Sequence, residues 1–122
     1  MRKKDFTPSF LKTLDDLLLN YGAIDIIMKF YLKDLSIYNS DPFINLLLMD
    51  SEILKQMPTT YFYVGDEDPL YDDSVRFLEL LANNKIQCKF NSYNHLPHGI
   101  LGEVTTDWIS AQKYFQDICN DF

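Results

Sequence analysis

The order of apolar and polar positions divides the chain into a helical first third, an irregular middle and a β-α-β second half. Thr7-Pro8 places an N-cap residue before a proline suited to the first helical position. Phe10, Leu14, Leu17, Leu18 and Tyr21 then fall on one helical face, and Gly22 is expected to stop the helix. Ile24, Ile27, Met28, Tyr31 and Leu32 repeat that spacing. They predict a second helix to about Asp34 and a helical hairpin with a tight joint. From Ile37 to Pro58 the pattern is less regular. Ser40-Asp41-Pro42 reads as a turn, and Asp50-Ser51-Glu52 can cap a short helix through Met57.

Thr60 to Val64 is a β-branched and aromatic run closed by Gly65. It lacks alternation, as a strand covered on both faces does in a parallel sheet. Asp72 or Asp73 is expected to cap a helix that carries Val75, Leu78, Leu81 and Ala82 on one face and ends at Asn83-Asn84. Ile86 to Tyr93 alternates, with Ile86, Cys88 and Phe90 opposite Gln87, Lys89 and Asn91, which predicts a strand with one polar face. A loop from His95 to Gly102 holds both histidines. Trp108, Ala111, Phe115, Ile118 and Phe122 then mark a last helix. The order predicts two adjacent parallel strands with the helix from Ser74 to Asn83 crossing over. Two parallel strands leave an open edge on each side, so the pattern implies part of a larger sheet and possible self-association through that edge.

Composition narrows the function classes. With 122 residues, 47% hydrophobic and 15% aromatic, residues 1–122 can fill one core, which excludes a disordered chain. A net charge of -7, with Arg2-Lys3-Lys4 as the only basic cluster, argues against nucleic acid as a partner. No apolar run is long enough for a transmembrane segment, and Asp5 interrupts any signal-peptide layout. Cys88 and Cys119 make neither a disulfide framework nor a metal box. They read as two buried thiols of a reducing compartment, with a cytoplasmic location as the expectation.

Two loops carry candidate chemistry. Gly65-Asp66-Glu67-Asp68-Pro69-Leu70-Tyr71-Asp72-Asp73 follows the first strand, at the carboxyl end where open α/β sheets place functional loops. A turn with a helix cap explains part of it. A calcium loop fails at Leu70 and Tyr71, where ligands are required. Leu96-Pro97-His98-Gly99-Ile100 follows the second strand. Pro97 fixes the approach and Gly99 lets the backbone pass closely, devices that suit an aimed imidazole, whereas His95 has neither and reads as structural or solvated. An acid after one strand and a histidine after the next is the acid-then-base order of an α/β-hydrolase triad. There a carboxylate holds one ring nitrogen so that the other works as a base.

The stretch DPFINLLLMDSEILKQMPTTYFYVGDEDPLYDDSVRFLELL, together with CKFNSYNHLPHGIL, closely resembles the C-terminal catalytic part of the hormone-sensitive lipase family. PSFLKTLDDLLLNYG is similar to the segment before that family's acid loop, so the resemblance covers about residues 8 to 119. DPLYDDS and LPHGIL look like the acid and histidine motifs, with Ile100 where phenylalanine is usual. The resemblance implies a partial α/β-hydrolase fold, a serine carboxylic ester hydrolase acting on acyl esters or lipids, and no cofactor or metal. It also implies Asp68 as triad acid and His98 as triad base. The family's G-x-S-x-G nucleophile elbow and HGGG-type oxyanion loop have no counterpart in these 122 residues. The expectation is the C-terminal portion of such an enzyme, inactive alone. The alternative is a non-catalytic interaction module or pseudoenzyme built on the same scaffold, binding a partner at its open edge.

Overall fold

The computed structural model describes residues 6–15, 19–32, 34–99 and 109–122. The sheet is built as the pattern predicts. Strand β1 (Thr60–Gly65) pairs in parallel with β2 (Cys88–Tyr93), in a register from Thr60↔Cys88 to Gly65↔Tyr93. Helix α4 (Tyr71–Asn83) makes the crossover. Before the sheet come α1 (Pro8–Lys12), α2 (Tyr21–Tyr31), 3-10 turns at Leu35–Asn39 and Leu46–Leu48, and α3 (Ser51–Leu54); α5 (Ile109–Asp121) closes the chain.

Successive strand residues point to opposite faces, and both faces are used. On one, Phe62 and Phe90 lie 5.7 Å apart between ring centroids and meet Phe77 and Tyr71 of α4. On the other, the Tyr63 hydroxyl donates to Asp121 at 2.6 Å and the Tyr93 hydroxyl to Asp117 at 2.9 Å. Asp117 and Asp121 share a helical face because they are four residues apart. Lys89 donates to Asp121 and Lys113 to Asp117, and these bonds, with those from the tyrosines, hold both carboxyls below their usual range. Tyr93, Leu96, Ala111 and Tyr114 form the buried core between β2 and α5.

Several expectations need correction. The first helix stops at Lys12, and the second starts at Tyr21, where the Asn20 side chain accepts the Ala23 N–H. Gly22 therefore lies in a first turn and ends nothing; the Asn20 cap outweighs its helix-stopping tendency. Leu17, Leu18 and Trp108 lie outside the described residues. Contact between the two helices comes from rings: Phe10 lies 6.3 Å from Tyr21, and Phe6 packs on both. The second helix ends at Tyr31 and leaves Ile27 and Tyr31 exposed. Helix α3 carries the expected Asp50 cap but is shorter than the stretch to Met57. Strand β1 is not covered on both faces along its length: Tyr61 is exposed, and burial is reached only at Val64 and Gly65, where the loops fold over. In α5 the buried ring is Tyr114, whereas Phe122 is 91% exposed. Cys119 is exposed and Cys88 half-buried, so neither is a core thiol. Among the described residues no helix is long and apolar enough to cross a membrane.

Neither Asp72 nor Asp73 caps α4. Its N-cap is Leu70, which makes no side-chain cap bond. The orphan N–H of Asp72 instead finds the Ser9 hydroxyl at 3.2 Å, from the start of α1. The Asp72 carboxylate in turn accepts the Ser9 N–H at 2.8 Å. Two helix N-termini thus cap each other across 63 residues of chain.

Candidate active site

The register of β1 and β2 places both chemistry-bearing loops at one end of the sheet. Gly65 and Tyr93 are paired, so the chain leaves each strand at the same level. The Asp66 N–H continues the ladder to the Tyr93 carbonyl at 2.9 Å, and the Glu67 N–H reaches the Leu96 carbonyl at 3.2 Å. A Cβ on Gly65 would sit 1.9 Å from the Leu96 carbonyl oxygen, so only glycine lets the two loops meet here. Leu96 is itself fully buried.

Past this junction the acid loop tightens. The Asp68 N–H returns to the Gly65 carbonyl at 3.2 Å, and the Asp68 carbonyl accepts from Tyr71 at 3.0 Å. The carboxylate is shared between two duties. Oδ1 accepts the Leu70 N–H at 2.7 Å, an Asx-type turn that fixes the side-chain torsion. Oδ2 lies 2.9 Å from His98 Nδ1. Asp68 is 9% exposed, and the His98 side chain is 41% exposed. A buried acid thus holds a half-exposed imidazole through Nδ1. Burial, then the Asp68 charge, raises the Tyr114 hydroxyl above its ordinary range.

The structure therefore brings Asp68 and His98 within the hydrogen-bond distance that the loop order suggests. It separates His95, whose side chain is 86% exposed and whose Nδ1 lies 3.3 Å from Glu67 Oε1. His95 still shapes the loop: its φ is +59° and its N–H donates to Asp66 Oδ1 at 2.7 Å. Gly99 works differently from the sequence reading. Nothing lies within 4 Å of a Cβ there, and its φ of +78° is the reason for glycine; the close approach belongs to Gly65. From sequence Gly65 reads only as the end of a strand, and Ser9 carries no reading of its own. The dipeptide junction Val64-Gly65 before an acidic loop was a usable signal for the first. Nothing local signals the second. Among the described residues no group of three or more His, Cys, Asp or Glu converges as a metal site.

The alpha/beta hydrolase fold family matches residues 3–102. The chain belongs to that family. It is 30% identical over 95 residues to esterase LipI of Mycobacterium tuberculosis, covering 78% of this chain and 29% of LipI. It superposes on carboxyl esterase 2 of the mycorrhizal fungus Tuber melanosporum with a TM-score of 0.83 at 16% identity, over 93% of this chain and 38% of that one. A thermostable esterase of Pseudomonas putida gives a TM-score of 0.78 at 20% identity, over 90% of this chain and 35% of that one. The chain thus spans about a third of the length of these proteins. The fold is a partial α/β-hydrolase, with two parallel strands and flanking helices as expected from the sequence.

Proposed function

We propose that the chain is the C-terminal part of a serine carboxylic ester hydrolase of the hormone-sensitive lipase kind, with Asp68 as the triad acid and His98 as its base. The observation that carries this is the 2.9 Å contact between Asp68 Oδ2 and His98 Nδ1 at the carboxyl ends of adjacent parallel strands. The carboxylate holds the proton on Nδ1 and stabilises the imidazolium that forms in acyl transfer. His98 Nε2 then takes the proton of a serine hydroxyl as the oxygen attacks the ester carbonyl, and returns it to the departing alkoxide. A water molecule, deprotonated in the same way, releases the acid from the acyl-enzyme. The serine and the oxyanion donors belong to the part of such a domain that these 122 residues do not encode, so the chain alone is expected to be inactive.

The test is a chimera. Residues 8–122 replace the matching segment of esterase LipI, and hydrolysis of a short p-nitrophenyl ester is followed. Turnover is expected, and His98→Ala or Asp68→Asn should each reduce kcat by about 10⁴-fold or more. A folded chimera whose activity ignores both substitutions overturns the assignment. A second reading, a non-catalytic module that binds a partner by strand addition, is favoured by the strand edges and the exposed Tyr61. It predicts that His98→Ala leaves partner binding intact.

A further inference from the structure

The segment that carries Asp68 is held from within at its start and from outside at its end. Inside, Gly65 and Asp68 close two successive turns, as described above. Outside, the Ser9 hydroxyl donates to the Pro69 carbonyl at 2.9 Å and accepts the Asp72 N–H at 3.2 Å. Its second acceptor site meets the Thr7 hydroxyl at 3.1 Å, and Thr7 in turn accepts the Phe10 N–H. A serine hydroxyl has one proton and two lone pairs, and here all three are engaged. Thr7 and Pro69 are almost fully buried, so water is a poor substitute at this joint. The joint brackets residues 69–72, immediately after the acid whose carboxylate orients His98.

We propose that Ser9 is a positioning residue for the Asp68–His98 pair: its hydroxyl and N–H lock the acid loop so that Asp68 Oδ2 stays aimed at His98 Nδ1. The inference rests on the proposed function and deepens it, because it assigns part of the site's alignment to a helix 59 residues earlier in the chain. Without the hydroxyl, the Pro69 carbonyl and Asp72 N–H lose their partner together. The Asx turn of Asp68 then rests on a looser helix start, and Oδ2 wanders from the ring.

The chain contains only two histidines, so its imidazoles can be read directly. Long-range ¹H–¹⁵N spectra of the full chain at mildly alkaline pH report which ring nitrogen carries the proton. The expected wild-type signature is an Nδ1–H tautomer for His98, with exposed His95 as internal reference. Asp68→Asn should abolish that signature. Ser9→Ala should weaken it and speed amide hydrogen exchange at Leu70 and Asp72, and Ser9→Thr, which keeps the hydroxyl, should restore both. Asn20→Ala removes a cap from α2 and lowers the melting temperature in the same way, yet should leave the His98 signature intact. If Asp68→Asn moves His98 and Ser9→Ala moves neither tautomer nor exchange, the role of Ser9 is refuted while the pair stands. If Asp68→Asn leaves His98 unmoved, the pair itself fails. Exchange at Leu70 and Asp72 is measurable even in an associated sample. Unchanged exchange there in Ser9→Ala also refutes the proposal.

Discussion

Replacing Gly65 with alanine tests the loop junction most directly. The added Cβ would stand 1.9 Å from the Leu96 carbonyl oxygen, 2.6 Å from its carbon and 2.9 Å from the Leu96 Cβ. Two of these three atoms are backbone, so no rotamer change relieves the clash. Ordinary contact begins at 3.4 Å, so the loops must part by about 1.5 Å. Overpacking of this kind costs about 1–3 kcal/mol. The Glu67–Leu96 and Asp66–Tyr93 bonds stretch as the loops part, adding about 1 kcal/mol each if lost. Together these come to about 3–5 kcal/mol, a large share of the ~5–15 kcal/mol that stabilises a typical domain. The same opening would carry Asp68 Oδ2 out of reach of His98, since their 2.9 Å separation has no slack. The assay is urea denaturation followed by circular dichroism, paired with the His98 tautomer spectrum. A Gly65→Ala chain with the wild-type midpoint and the wild-type His98 signature would refute the reasoning. Gly99→Ala is the comparison: it meets open space, and its φ of +78° should cost only about 1–2 kcal/mol of backbone strain.

Docking of α5 should depend on pH at both extremes. Asp117 and Asp121 lie below their ordinary 3.8, so their contribution is full above that value and fades as pH falls through the depressed range. Burial and the bond to Asp121 push Tyr63 up to about 12, so its contribution is full below 10.0 and is lost as pH rises toward 12. Melting temperature against pH checks both arms; a flat profile across either window contradicts the clamp. Exposed Cys119 should react with a thiol reagent well before Cys88, whose thiol burial pushes up; equal rates would refute this. The strand edges should drive self-association, which Tyr61→Lys should reduce in analytical ultracentrifugation, whereas a wild-type monomer at high concentration would contradict the edge argument.

Much of the second half was legible because its signals are local. The β-branched and aromatic run Thr60 to Val64 identifies one strand by composition, the alternation from Ile86 identifies the other by period, and Asn83-Asn84 ends α4 where the pattern says. The order of acid loop and histidine loop follows from those two strands. What was not legible depends on distance through space. A cap search looks a few residues either way, so it assigns Asp72 or Asp73 to the helix that follows. The partner of Asp72 is Ser9, 63 positions away. Gly65 reads as punctuation until Leu96 is known to lie against it. In the first third, Gly22 reads as a stop, and the Asn20 capping bond that puts it in a first turn emerges only from the structure. Tyr63 and Tyr93 could not be ranked above other aromatics until Asp117 and Asp121 were seen to receive their hydroxyls.

Those hydroxyls bear on the site although they touch neither Asp68 nor His98. The pair meets because Gly65 and Tyr93 leave the sheet at one level, a consequence of register. A slip by one residue in either strand would turn its whole side-chain set to the opposite face. Phe62 and Phe90 resist that on the α4 side, but two aromatic rings tolerate sliding. The α5 side does not: Tyr63 must present its hydroxyl to Asp121 and Tyr93 to Asp117, two carboxylates fixed one helical turn apart. One hydroxyl comes from each strand, so the helix measures the strands against each other. Lys89, beside Tyr61 in the register, adds a third fixed point at Asp121. The last helix thus bears on Asp68 and His98 through the sheet: by its bonds to Tyr63, Tyr93 and Lys89 it holds the register by which the two side chains arrive 2.9 Å apart.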